Sequence, residues 1–358
     1  MTKSIIKNAK IKGISIVVGE NKKCIDDEPS YYNGDKTQLE RLKKTIGFGT
    51  RYWTNNETTT CDLCEQASKN LLKKLAIPVR SIDAIISATQ TPDYYMPGNA
   101  HVLHKKLGLS KDTIALDLEL GCSGFMYGLW LSFMMLNSGL KRILLVTGDT
   151  LSKVANKKDR TEAPLFGDAG SACIIDFDQD AKESYFILKS DGNGVDSMYQ
   201  PAGAYRTQSS EETRVEKADK DGNIRTDENI YMNGFDIFNF TLTEQPKLLN
   251  EILEFSNKTK DEIDYFVLHQ ANVYIVETII KKAKIEMEKA PSNVFSKYGN
   301  QNSASIPGAI CEALSDCFAN TKKQVVLQGF GIGLSWGACK LEFDNVVCLK
   351  PDVYKKEI

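Results

Sequence analysis

The sequence predicts an α/β protein built from two similar halves, and two observations lead to this prediction. First, apolar runs rich in β-branched residues alternate with helical patterns along the chain. Second, a strand, glycine turn, strand pattern occurs twice, in residues 142–177 and 324–343. Alternation of this kind is typical of mostly parallel sheets with helices on both faces, and the duplication predicts a site where the halves meet.

The N-terminal residues predict a first strand. Residues 1–20 alternate lysines with apolar residues and contain no small-residue cleavage site, so they do not resemble a secretory signal. The most apolar run, residues 125–140, is interrupted by Gly128, Ser132 and Asn137 and is shorter than the roughly 18 apolar residues of a membrane-spanning helix. We therefore expect a buried helix there, no membrane association, and a cytoplasmic protein.

Composition excludes further classes. The 358 residues are 42% hydrophobic and 26% charged, which suits a globular chain, and the net charge of -2 is spread over interspersed lysines and acids. No basic face is available for nucleic acid, so none is expected as a partner. Nine cysteines, an odd number, do not suit a disulfide framework and favour a reducing compartment.

Two pairs of potential ligands have simpler explanations. Cys61 and Cys64 have the spacing of a redox or zinc motif, but no second pair follows at a suitable distance and the segment has a helical pattern. His101 and His104 lie on one side of another predicted helix without a carboxylate motif. We expect core or surface residues in both cases.

Cys122 lies between Gly121 and Gly124, where a β-rich run gives way to the apolar helix. Glycines permit a tight strand-to-helix turn, and a helix N-terminus favours a thiolate. A nucleophile and a buried structural cysteine both fit this pattern, because free cysteines are often buried.

Three segments of the second half carry further polar groups. His269 ends an apolar strand, Asn300 lies in a glycine turn before a helix, and residues 329–337 form a glycine-rich connection between strands. Each alone also fits an ordinary role: a strand-end histidine, a turn asparagine and a tight β connection.

Taken in order, these motifs resemble the β-ketoacyl-acyl-carrier-protein synthase III family. The matching features are the glycine-flanked Cys122, HQAN at 269–272, GN followed by ASIP, GFG followed by SWG, and FGDAGSA at 166–172. The resemblance extends from Ile11 to about Phe343. It implies a thiolase-like, five-layered αβαβα fold with two pseudo-duplicated halves, residues 1–180 carrying the nucleophile and residues 181–358 carrying the histidine and asparagine, and it implies a homodimer.

The resemblance also implies a mechanism and a set of site residues. Cys122 would hold the acyl group, His269 and Asn300 would act on a malonyl thioester in a decarboxylative Claisen condensation, and the backbone N–H groups of Cys122 and Ile332 would form the oxyanion hole. No metal or bound cofactor is implied. Acyl-CoA or acyl carrier protein would supply CoA or phosphopantetheine thioesters as substrates. Gln90 stands where the hydroxymethylglutaryl-CoA synthase branch has a glutamate, which argues against aldol chemistry.

Several positions depart from the family pattern at the substrate entrance. Arg160 matches an adenine-clamping arginine, but Arg41 and Thr45 replace the usual tryptophan and second arginine. Arg160 and Asn272 would then hold the phosphates and the pantetheine, with Tyr274 or Phe235 as other candidates for contacting a nucleotide. Tyr274 also replaces a carrier-docking arginine, for which Lys281, Lys282 and Lys284 could substitute.

The acyl pocket also departs from the family pattern. Met96 stands where the partner subunit usually closes the acyl pocket, and a flexible thioether would admit a longer or branched chain. We therefore expect a role in specialised lipid, polyketide or surface-glycan-linked biosynthesis. An acyltransferase that moves the acyl group from Cys122 to an alcohol or amine is the alternative. The polar segment 205–230 fits either a substrate-entrance flap or a solvated insertion.

Overall fold

The computed structural model describes residues 2–356. Its α-helices are α1 (Lys36–Thr45), α2 (Thr60–Leu75), α3 (Asn99–Leu107), α4 (Gly124–Asn137), α5 (Gly234–Phe255), α6 (Val273–Lys282), α7 (Phe295–Tyr298) and α8 (Ser305–Ala313). Its strands are β1 (Thr2–Ile6), β2 (Ala9–Val18), β3 (Asn21–Cys24), β4 (Thr50–Trp53), β5 (Ala84–Ala88), β6 (Ile114–Leu118), β7 (Arg142–Asp149), β8 (Ala169–Phe177), β9 (Ser184–Ser190), β10 (Met198–Tyr199), β11 (Lys217–Ala218), β12 (Ile224–Arg225), β13 (Tyr231–Met232), β14 (Tyr265–Leu268), β15 (Lys322–Gly331), β16 (Ser335–Asp344), β17 (Val347–Cys348) and β18 (Asp352–Val353).

Five layers stack in the order expected for the fold. Helices α2 and α3 cover the outer face of a seven-stranded sheet, and α5 and α6 pack against the outer face of a five-stranded sheet. Helices α4 and α8 lie between the sheets and contact strands of both. The αβαβα prediction is therefore confirmed.

The two sheets repeat one arrangement. Strands β2, β8, β7 and β5 lie side by side in the first sheet, and β9, β16, β15 and β14 do so in the second. In each set the first two pairings are antiparallel and the last is parallel. The internal duplication is confirmed. The strands at the two ends of the chain pair with the sheet of the opposite half: β1 joins the second sheet, whereas β17 and β18 pair with β2 of the first.

The prediction of mostly parallel sheets was wrong. The repeated strand, glycine turn, strand pattern forms the antiparallel pairs β7–β8 and β15–β16. These strands are joined without a crossover helix, and an antiparallel pair needs none. Parallel pairing occurs at β5–β6, β5–β7 and β14–β15, and where β17 and β18 meet β2.

The position of the central helix α4 explains why its sequence is so apolar. It is apolar on nearly every side because the sheets enclose it, and Phe125, Met126, Leu129 and Phe133 are fully buried. The buried helix that the sequence predicts is therefore present. Within residues 2–356, no helix combines the length and the apolar character needed to cross a membrane.

The cysteine pair and the histidine pair lie in helices, as core and surface residues. Cys61 and Cys64 lie on the buried face of α2, which begins with a capping box between Thr59 and Asp62. All nine cysteines are unpaired. In the described part of the chain, no cluster of histidine, cysteine or carboxylate side chains could hold a metal ion. On α3, His104 Nε2 lies 2.8 Å from the Ser110 carbonyl oxygen, and His101 is exposed.

Candidate active site

Cys122 lies in the turn between β6 and α4, as the sequence predicts. It stands two residues before the first residue of α4, and Ser123 is the N-cap. A Cβ on Gly121 would lie only 2.1 Å from Gln90 Oε1 and 3.0 Å from Asn302 Oδ1. A larger residue would push these side chains away, so glycine at 121 lets the turn close beneath them.

Cys122, His269 and Asn300 line one cavity of about 690 Å³. They come from separate elements: the turn before α4, the end of β14, and the segment that bridges Asn300 to Phe166. The lining is mainly apolar. The structure thus brings together three residues that lie far apart in sequence.

His269 is a neutral group in this cavity. Its backbone N–H donates to the Gln328 carbonyl at 2.8 Å, and its ring meets the edge of the Phe330 ring with centroids 5.2 Å apart. Burial lowers the pKa of His269 to about 3. Its Nδ1 is buried and has no hydrogen-bond partner within residues 2–356. An uncharged imidazole can donate to an oxyanion without readily protonating it.

Asn300 is held in place by hydrogen bonds of its backbone and of its side-chain amide oxygen. Its N–H donates to the Leu165 carbonyl at 2.8 Å, and its carbonyl accepts from Gly167 at 3.0 Å. Its side-chain Oδ1 accepts the N–H of Asn302 at 2.9 Å. Because Oδ1 already accepts this hydrogen bond, the amide nitrogen Nδ2 is the atom that can donate to a ligand.

Asn302 is a site residue that the sequence analysis missed. The Cys122 thiol donates to Asn302 Oδ1 across 2.7 Å, and both side chains are buried. The clue in the sequence is slight: Asn302 follows Asn300 by two residues, in a loop where asparagine tolerates the left-handed conformation found here (φ 49°).

The state of the thiol differs from expectation. The position of Cys122 at a helix N-terminus predicts a thiolate. Instead, burial raises the pKa of Cys122 above its ordinary value, and the carboxylate of Asp149 raises it further. Before a substrate enters, Cys122 is therefore a thiol.

The four predicted substrate contacts divide into two groups. Arg160 and Asn272 line the cavity, and Asn272 Oδ1 also caps α6 by accepting from the Ile275 N–H at 2.8 Å. Phe235 and Met96 are 72% and 73% exposed and are not part of the lining. Phe235 stands at the start of α5, where Ile237 and Phe238 face the cavity in its place. Phe235 therefore lies outside the cavity lining, and its contact with a nucleotide stays a prediction.

Ile332, the second predicted oxyanion residue, follows β15 directly. Its neighbour Gly331 lines the cavity, and its side chain packs into an apolar cluster with Ile25 and Phe166. The Ile332 carbonyl accepts from Ser335 Oγ at 2.9 Å, and Ser335 Oγ lies 2.6 Å from Ser123 Oγ. This chain of contacts fixes the β15–β16 connection against the turn that carries Cys122.

Residues 205–230 reach the mouth of the cavity. They include the β11–β12 hairpin, whose tip contributes Asp221 and Asn223 to the lining. The Arg160 guanidinium donates to the Asp221 carbonyl and, at 3.2 Å, to Asn33 Oδ1. The segment is therefore in contact with the site.

A buried ionic cluster holds the hairpin in place. Arg225 pairs with Asp159 at 3.0 Å and with Asp219 at 2.9 Å, and Glu162 lies 3.7 Å away. Burial, followed by the negative charge of Asp159, raises the pKa of Glu162 to about 8 even though Arg225 lowers it. The Glu162 carboxyl is therefore largely protonated at neutral pH.

Two family models match the segments that carry these residues. The model described as 3-oxoacyl-[acyl-carrier-protein (ACP)] synthase III matches residues 116–192, which include Cys122. The model for the C terminal of 3-oxoacyl-[acyl-carrier-protein (ACP)] synthase III matches residues 253–343, which include His269 and Asn300.

Similar proteins cover nearly the whole chain. A Campylobacter jejuni protein provisionally named 3-oxoacyl-[acyl-carrier-protein] synthase 3 is 39% identical over 358 residues, 99% of each chain. The β-ketoacyl-[acyl-carrier-protein] synthase III of Clostridium perfringens is 34% identical over 341 residues, 94% of this chain and 100% of that one. The crystal structure of a 3-oxoacyl-(acyl-carrier protein) synthase from Burkholderia xenovorans superposes with a TM-score of 0.91 at 33% identity, covering 98% of this chain and 99% of the other. This chain therefore belongs to the 3-oxoacyl-[acyl-carrier-protein] synthase III family of condensing acyltransferases with the thiolase fold.

Proposed function

We propose that this enzyme loads an acyl group onto Cys122 and condenses it with a malonyl thioester, with loss of CO₂. The observation that carries the proposal is the single apolar cavity lined by Cys122, His269 and Asn300. A nucleophile and two neutral hydrogen-bond donors are the groups that this reaction needs.

In the first half-reaction, the Cys122 sulfur attacks the carbonyl of an acyl thioester. The thiol proton passes to His269 and then to the departing thiol, so the enzyme returns to neutral histidine. The backbone N–H groups of Cys122 and Ile332 stabilise the oxyanion of the tetrahedral intermediate. The product is an acyl-cysteine, and the carrier leaves as a free thiol.

In the second half-reaction, a malonyl thioester enters the same cavity. Its thioester carbonyl oxygen accepts from His269 and from Asn300 Nδ2, the pole that Asn302 leaves free. When CO₂ leaves, these donors stabilise the enolate, which attacks the acyl carbonyl on Cys122. The carbon–sulfur bond to Cys122 then breaks, the sulfur takes up a proton from solvent, and a β-ketoacyl thioester is released.

The mouth of the cavity supports a carrier-protein thioester over free acyl-CoA as the donor. In the described part of the chain, Arg160 is the one lysine or arginine of the lining, and it already contacts Asn33 and the hairpin. Arg41 and Thr45 are exposed on α1 and lie outside the lining. A nucleotide with three phosphates would therefore meet little positive charge, whereas a pantetheine arm needs chiefly an apolar tunnel.

A homodimer is supported by two exposed apolar features of the first half. Strand β6 forms an edge of the seven-stranded sheet and exposes Ile114 and Leu116. The nearby loop exposes Tyr94, Tyr95 and Met96. A second copy would cover such an edge and receive Met96 at its acyl pocket. A monomer in sedimentation analysis at micromolar concentration would contradict this part of the proposal.

The wide apolar lining and the departures at Arg41, Thr45, Met96 and Tyr274 support a role in specialised lipid, polyketide or surface-glycan-linked biosynthesis. A panel of acyl groups of different length and branching, offered on one carrier protein, tests this part. Preference for a long, branched or otherwise unusual primer is expected, and strict preference for acetyl would contradict it.

The full reaction is the test of the proposed function. Acyl carrier thioester and malonyl carrier thioester are incubated with the enzyme, and the carrier species are identified by mass spectrometry. We expect a β-ketoacyl thioester two carbons longer than the primer, together with CO₂. Transfer of the acyl group to an alcohol or amine, without release of CO₂, would instead support the alternative acyltransferase, which gives Asn300 no role.

A further inference from the structure

We propose that Asn302 is a positioning residue for the nucleophile. Its side-chain amide holds the Cys122 thiol through Oδ1 and, once the proton has left, turns to present Nδ2 to the sulfur. This inference rests on the proposed role of Cys122 and adds a residue that acts through it.

The contact itself is direct and enclosed. Cys122 Sγ lies 2.7 Å from Asn302 Oδ1, and Asn302 is only 1% exposed. The backbone of Asn302 is held on both sides: its N–H donates to Asn300 Oδ1, and its carbonyl accepts the N–H of Ser305. The side chain therefore extends from a fixed point and can respond to the thiol mainly by rotating about its own bonds.

The amide nitrogen of Asn302, Nδ2, is buried and makes no hydrogen bond within residues 2–356. A buried donor without a partner is unfavourable, and an amide oxygen facing a thiolate would be repelled. Rotation of the amide resolves both problems at once, because Nδ2 gains an acceptor when the sulfur becomes negative.

Two titratable groups near the sulfur do not supply this function. Asp149 is a buried carboxylate that opposes the thiolate, and it is engaged by Thr89, the Gln90 N–H and Ser303. His269 lines the same cavity as a neutral ring, and in the proposed reaction it carries the thiol proton only in passing to the leaving group. Asn302 therefore supplies what these two groups do not: an amide that accepts from the thiol and can donate to the thiolate.

The test is the pH dependence of alkylation at Cys122 by iodoacetamide, read by peptide mass spectrometry. In this reaction the thiolate displaces iodide, a carbon–sulfur bond forms, and the thiol proton goes to solvent. Asn302→Asp keeps the size of the side chain and its tolerance of the left-handed backbone, but places a carboxylate at the sulfur. Asn302→Gly removes the side chain and suits the same backbone.

We expect Asn302→Asp to raise the midpoint of the alkylation profile by about one pH unit or more, and to slow alkylation about tenfold near neutral pH. Asn302→Gly should raise the midpoint less, because it removes a donor without adding charge. Asn257, an exposed residue with a φ of 51°, provides the controls Asn257→Asp and Asn257→Gly, which should leave the profile unchanged.

Unchanged midpoints in folded Asn302→Asp would overturn the inference, and so would a lower midpoint. If Asn302→Gly does not fold, the isosteric Asp variant still decides. The alkylation assay needs no malonyl substrate, so failure of the condensation reaction with a shifted profile would refute the proposed function alone. Condensation with an unshifted profile would refute only the role of Asn302.

Discussion

Gly331 approaches Cys122 so closely that no side chain fits between them. A Cβ at Gly331 would lie 2.6 Å from the Cβ of Cys122 and 3.1 Å from its sulfur. Antiparallel pairing of Gly331 with Ser335 holds this position within the β15–β16 pair. The glycine therefore lets strand β15 lie directly against the nucleophile and helps to set its position.

We predict that Gly331→Ala preserves the fold but slows acylation of Cys122 by on the order of 10²-fold, because a displaced nucleophile no longer meets the oxyanion donors. The measurement is the rate of adduct formation by intact-protein mass spectrometry. Gly192→Ala is the matched control, since a Cβ at Gly192 meets no atom within 4 Å. Equal acylation rates in the two variants would show that the close approach has no catalytic consequence.

A second prediction concerns the identity of the acylated residue. Cys122→Ala should abolish both the acyl adduct and turnover. Cys173 and Cys311 are fully buried outside the cavity lining, and burial raises the pKa of both thiols well above the ordinary value. A retained adduct in Cys122→Ala, mapped by peptide mass spectrometry to either of these cysteines, would refute the assignment of the nucleophile.

The sequence could predict the central residues of the site because their local patterns are distinctive. The glycine-flanked Cys122 required a tight turn, and HQAN placed His269 at a strand end. The contact of Cys122 with Asn302 could not be predicted in the same way, because it depends on how two loops 180 residues apart meet. The prediction of parallel strands failed for a related reason. The pattern around β7 and β8 indicates two strands and a turn, but it does not specify whether the second strand runs parallel or antiparallel to the first.

The substrate entrance shows the same limit. Arg160 was predicted as a phosphate contact, and it does line the cavity. Its engagement by the β11–β12 hairpin could not be read from a polar, charge-mixed segment, since most such segments are solvated. The helical pattern of α5 likewise does not specify which side of its first turn faces the cavity, where Ile237 and Phe238 are part of the lining and Phe235 is exposed.

The third prediction follows from that entrance. The same acyl group should load faster from a carrier protein than from CoA, because Arg41 and Thr45 lie outside the cavity lining. Loss of one stacking contact costs about 1 to 3 kcal/mol, or roughly tenfold to a hundredfold in affinity. A competition between the two donors, followed by intact-protein mass spectrometry, measures the ratio. Loading from acyl-CoA at micromolar half-saturation, with every carrier slower, would show that some other residue holds the nucleotide.

A fourth prediction concerns stability and pH. The pKa of Glu162 is raised by burial to about 8 in the folded protein, from an ordinary value of 4.5. The folded state therefore keeps a proton that the unfolded chain releases. This contribution to stability is fully present below about pH 4.5 and is lost as the pH rises through about 8.

Glu162→Gln cannot lose that proton, so its melting temperature should exceed that of the wild type by an amount that grows between about pH 5 and about pH 8.5, reaching roughly 2 °C or more. Thermal denaturation across this range is the measurement. The exposed Glu119→Gln variant should track the wild type at every pH. A gap that stays constant or shrinks with rising pH would mean that Glu162 is ionised in the folded protein.

The last prediction separates condensation from simple acyl transfer. Asn300→Asp keeps the oxygen that accepts the Asn302 N–H but replaces the Nδ2 donor with a carboxylate oxygen. Acylation of Cys122 should survive in this variant, because Asn300 acts on the malonyl group. Stabilisation of the enolate should be lost.

The most direct test is therefore the rate of CO₂ release from a malonyl thioester by the wild type and by Asn300→Asp, with Cys122 acylation measured in parallel. We expect decarboxylation to fall by on the order of 10² or more while the acyl adduct still forms. Unchanged CO₂ release in the variant would contradict the condensation mechanism.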